Sequence, residues 1–142
     1  MPAPSSSRPK RAPATVKARK FTLEQANSAL PLVKRIVADV VRTHAQAVAL
    51  KQSLEQSTGT RQTALQDQLD DSIDRLGALV DELTGVGVEL KDYETGLVDF
   101  VGQHEGRDVY LCWKLGEDRI THWHELNAGF AGRKPVSLLR ED

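Results

Sequence analysis

The chain of 142 residues has little that could be cross-linked or inserted in a membrane: one cysteine, Cys112, and no apolar run near membrane-spanning length. A lone thiol closes no internal disulfide, so stability has to come from packed side chains. The absence of about 18 consecutive apolar residues excludes a transmembrane helix. Residues 1–20 also lack the apolar segment of a secretory signal, and a reducing cytoplasm is the expected setting. Aromatics are scarce at 5% of the chain. All but Phe21 fall between Lys91 and Lys134, in company with His104, His122, His124 and Cys112. Any chemistry is therefore expected in that stretch.

What charge there is lies unevenly. The formal net charge is -1, yet residues 1–20 hold Arg8, Lys10, Arg11, Lys17, Arg19 and Lys20 with no acid, so a +6 tail precedes a body of -7. Prolines at 2, 4, 9 and 13 and the run Ser5-Ser6-Ser7 leave too little apolar surface to offset the entropy of ordering. Residues 1–20 read as a disordered basic tail that could contact polyanions, and residues 21–142 as a single α+β domain.

Order is expected from Phe21. Thr22 and Gln25 form a capping box, with Phe21 placed to staple on Ala26. Pro31 predicts a short first helix and a bend before the next. From Leu32 the residues Val33, Ile36, Val37, Val40, Val41, His44, Ala47, Val48 and Leu54 mark one face of a long helix. A break at 56–60 leads to a second helix over 61–84, whose seam is Leu65, Leu69, Ile73, Leu76, Val80 and Leu83. The short connection makes residues 21–84 an antiparallel hairpin. Two such stripes are not covered by each other alone, so the C-terminal segment or a second copy of the chain must add a layer; both are expected, the second as a homo-oligomer through the helices.

Gly85 is the expected helix stop, and the apolar period then falls to two. Strands are predicted at 86–91, 97–101, 107–114 and 119–125, forming an antiparallel meander over 85–126. A glycine-rich loop and a C-terminal tail occupy 127–142. In the last strand, alternation places Ile120, His122 and His124 on one face. Two histidines at this spacing can share a divalent metal if Asp99, Cys112 or His104 supplies a third ligand. Cys112 has no adjacent base and is a poor nucleophile. Gly129 and Gly132 permit close backbone approach, Phe130 offers an apolar anchor, and Arg133 offers an anion contact unless it pairs with Asp92, Asp99 or Glu125.

Four segments, FTLEQANSALPLV from Phe21, LKDYETGLVDF from Leu90, GRDVYLCWKLGE from Gly106 and WHELNAGFAGRKP from Trp123, together resemble an uncharacterised bacterial family, the domain of unknown function numbered 2203. The resemblance implies a small cytoplasmic protein with a helical hairpin and a small sheet, and no particular activity. It singles out Asp92, Asp99, Arg107, Glu117, His124 and Arg133 as polar members of the shared pattern, with histidine at 124 but not necessarily at 122. Two functions are then expected. One is a non-catalytic oligomeric binding or adaptor module whose Trp113, His124, Phe130 and Arg133 region receives a partner or small anion. The other is a small metal-binding protein or metal-dependent enzyme using His124 with His122 or a nearby acid.

Overall fold

A computed structural model describes residues 19–141. Two helices, α1 (Leu23–Glu55) and α2 (Gly59–Val86), precede five strands: β1 (Val88–Asp92), β2 (Leu97–His104), β3 (Arg107–Lys114), β4 (His122–Glu125) and β5 (Lys134–Pro135). The strands pair antiparallel in sequence order as a meander. The predicted class, a helical hairpin followed by a small antiparallel sheet, is what the chain adopts. Among the described residues no helix is long and apolar enough to cross a membrane.

The expected capping box opens α1, with Thr22 accepting from the Gln25 amide and Gln25 accepting from that of Thr22. The helix then runs unbroken through Pro31, so the separate short N-terminal helix does not exist. Proline removes one backbone donor and crowds the preceding turn. Here burial on both sides overrides it: Ala26, Leu30, Val33, Ile36 and Val37 are all core residues, whereas Pro31 itself is exposed. The second helix outruns its predicted end in the same way. Gly85 stays helical, and Gly87, at φ 99°, makes the left-handed C-cap that only glycine adopts freely.

The inter-helix seam holds at Leu65, Leu69 and Leu83, while Leu79 rather than Val80 turns inward. Ile73, expected among them, is 53% exposed. Val48 likewise turns outward, and Thr43 takes an inward place on α1.

On the sheet, cross-strand register puts Val98 opposite Trp113, and Leu111 opposite both Phe100 and Trp123. This face joins Val33, Val37, Val40 and Leu83 of the helices in one apolar cluster. Burying each such side chain stabilises by about 1.5–3 kcal/mol, so this layer is the main source of stability. Phe21 completes it, meeting Phe100 edge-on at 5.2 Å while its amide donates to the Val101 carbonyl.

Ile120 departs from expectation. It precedes β4, its amide donates to Asn27 Oδ1 of α1, and its side chain enters the core rather than sharing a face with His122 and His124. The segment read as a loop and tail is also docked. Residues 134–135 pair with β4, the Val136 amide donates to Thr121, the Arg140 amide donates to His104 Nδ1, and Glu141 accepts from the amide of Leu23. Of the basic tail, Arg19 and Lys20 are engaged, Arg19 donating to the Val86 carbonyl and Lys20 lying 3.4 Å from Asp108. Residues 1–18, with the expectations of disorder and polyanion contact, lie outside the described residues.

Candidate functional site

Because side chains alternate along a strand, burying Val98, Leu111, Trp113 and Trp123 against the helices sends Asp99, Tyr110, Cys112, His122 and His124 to the other face. Register then sets them side by side: Asp99 opposite Cys112, Cys112 opposite His122, and Tyr110 opposite His124. The chain from Leu126 to Gly132 passes over part of this face. Under it lies a recess of about 160 Å³ lined by Lys91, Leu97, Asp99, Tyr110, His124, Leu126, Gly129 and Phe130.

Asp99 and His124 form the floor, each only 3% exposed. His124 Nε2 lies 3.2 Å from Asp99 Oδ1, and Nδ1 lies 2.8 Å from the Glu125 carbonyl. A carbonyl can only accept, so the Nδ1 proton is fixed there and Nε2 is presented to Asp99. Burial raises the Asp99 carboxyl above its usual range, outweighing the attraction of His124 and Lys91. Burial and the Asp99 charge also push the Cys112 thiol up to about 12, leaving it a protonated donor to that carboxylate. On the wall, Lys91 lies 2.9 Å from Glu89 and sits over the Tyr110 ring. Burial is the largest single influence and opposes the Lys91 charge, but the Glu89 hydrogen bond together with the charges of Glu89, Tyr110 and Asp99 outweighs it and holds the ammonium above its ordinary value.

His122 belongs to a neighbouring network. Thr121 Oγ1 and Arg133 Nη2 both approach its Nδ1, at 2.9 and 2.8 Å, and both must donate, so that nitrogen carries the lone pair. Arg133 Nη2 also donates to Glu117 at 2.9 Å, while its Nε is buried without an acceptor. Glu117, not Asp92, Asp99 or Glu125, is therefore the partner that pins Arg133. The guanidinium lies 4.5 Å from the centre of the Phe130 ring, fixing the roof of the recess.

The remaining candidates do structural work elsewhere. Trp113 is fully buried on the helix side and donates to the Glu117 carbonyl. Asp92 caps the β1–β2 turn by accepting from Thr95 and the Glu94 amide; the Thr95 hydroxyl holds its carboxyl below the usual range. Arg107 makes a two-pronged pair with Glu125, which lowers the Glu125 carboxyl. His104 stacks on Trp123 at 4.4 Å, away from the recess. Of the expected ligand residues, Asp99, His124 and Phe130 converge on the recess, with Glu117 and Arg133 beside it. The ligand pattern did not include Lys91 and Tyr110, although both share the parity of Asp99 and Cys112.

Fold and site together define a small α+β protein with one sheet face given to the core and the other to a recessed polar cluster. Residues 19–136 match the family described as an uncharacterized conserved protein, DUF2203, and the chain belongs to that family. No curated protein and no solved structure matches it.

Proposed function

We propose that the chain is a non-catalytic binding module whose recess beneath Phe130 receives a compact cationic or hydrogen-donating group, and that it self-associates through its helical hairpin. The supporting observation is the buried Asp99–His124 pair at the floor of a space of about 160 Å³. That volume accommodates roughly five waters, well below the 300–1,000 Å³ of a site for a drug-sized molecule or cofactor. With the His124 Nδ1 proton committed to Glu125 and Lys91 paired to Glu89, Nε2 and the Asp99 carboxyl face each other as acceptors, an arrangement that a cation or donor satisfies and a small anion does not. Against catalysis stands the absence of an activated nucleophile in the cluster, because Cys112 is held as a neutral thiol. Self-association is supported by Ile73 and Val48, large apolar side chains 53% and 44% exposed on the hairpin. A reducing cytoplasmic setting belongs to the same reading and keeps Cys112 as a thiol.

The test follows the ring resonances of His124 and Tyr110 by NMR during titration with methylammonium or with inorganic phosphate. Methylammonium should shift both rings and lose its effect in Asp99→Asn, while phosphate should leave them in place. Shifts produced by phosphate alone, or no shifts from either probe, would remove the recess as a cation site.

A further inference from the structure

We infer that Asp99, Cys112 and His124 form a binding site for a thiol-preferring divalent cation of the zinc type, open on one side to the recess. The inference rests on the reading of the recess as a cation site and names the cation.

Three adjacent strands each contribute one donor, and the donor atoms all lie within 4.8 Å of one another. A tetrahedral zinc ion with ligands at about 2.0–2.3 Å needs its donors roughly 3.3–3.8 Å apart. Nε2 and Oδ1 already stand at 3.2 Å, so closing the set takes rotamer adjustments of about an ångström or less at the thiol. The imidazole is oriented for the task. Metal-binding histidines usually donate their second ring nitrogen to a carbonyl or carboxylate, as His124 Nδ1 does to Glu125.

Charge selects the ion. A carboxylate, a thiolate and a neutral imidazole sum to two negative charges, which one divalent ion cancels. Burial disfavours the ionised forms of Asp99 and Cys112, and a dication between them would reverse that penalty. Calcium requires six to eight oxygen donors and magnesium a near-octahedral oxygen shell, whereas this cluster brings one carboxylate. Sulfur and imidazole suit zinc or cobalt(II) instead. Three protein ligands leave a fourth position, and Asp99 and His124 line the recess beneath Phe130, where water or a small ligand can complete the shell.

The same trio also makes internal hydrogen bonds, and cobalt(II) substitution separates the two roles. Purified protein exchanged into cobalt should bind one equivalent, with visible d–d bands and a thiolate-to-cobalt charge-transfer band. Zinc should displace it. Cys112→Ser and Cys112→Ala should each abolish the charge-transfer band and weaken binding at least tenfold, with circular dichroism confirming that both remain folded. Folded wild type that takes up no cobalt overturns the proposal, and so does cobalt uptake whose spectrum in both Cys112 variants is unchanged from that of wild type. If methylammonium still shifts His124 and Tyr110 in that case, the recess reading stands and only the metal falls; if it does not, both fall.

Discussion

Cys112, Asp99 and Glu125 show how location sets the behaviour of an ionisable side chain. With its thiol pushed up to about 12, Cys112 is thiolate in about one molecule in ten thousand at pH 8. Iodoacetamide should leave it unmodified in metal-free folded protein at that pH and label it fully in urea; rapid labelling of the native state would contradict its burial. For Asp99 the folded value is raised, so its contribution to stability is complete below the unfolded value and is lost as pH rises through the folded one. Urea midpoints compared across a pH series should therefore move in favour of Asp99→Asn as pH climbs above the ordinary carboxylate range, with a constant difference counting against this. Glu125 carries the opposite sign. Arg107 lowers its folded value, so the stability it gives is present above the usual glutamate value of 4.5 and is lost as pH falls through the folded one. Arg107→Gln should flatten that acid limb.

At the scale of elements, periodicity made the hairpin and meander legible, and the misjudged positions were those where tertiary contacts overrode a local signal. Pro31 reads as a break in any window of sequence, and only the burial of Leu30 and Val33 on either side keeps the helix going. Because Pro31 is exposed, Pro31→Ala restores a backbone bond without losing packing and should raise the unfolding free energy by about 1–3 kcal/mol, read from urea melts. Ile120 kept the parity of the histidines on paper, yet β4 begins two residues later and Asn27 draws it to the helices. His124 and Asp99 could be singled out from sequence, but pairing them required strand register, which alternation alone does not give. The turn before β2 is tightly constrained: at Gly96, φ is 74° and an added Cβ would meet Val37 Cγ1 at 2.8 Å and Leu115 Cβ at 2.9 Å. Gly96→Ala should cost about 2–4 kcal/mol in the same melts, through both backbone strain and overpacking.

For the whole molecule, the division between a packed and a polar sheet face leaves the far half of the hairpin without a covering layer among the described residues. Beyond Thr43 no residue of α1 is buried, and before Leu79 only Leu65 and Leu69 of α2 are. If a second chain covers this half, static light scattering should give twice the mass of one chain for wild type and a single mass for Ile73→Lys; an unchanged mass in the variant would exclude that face. α1 has 33 residues and at 1.5 Å per residue extends about 50 Å. A body with such a projection meets more drag than a sphere of its mass and tumbles unequally about its axes. Even a single chain would elute early from a sizing column and mimic a pair, so counting subunits requires a method blind to shape.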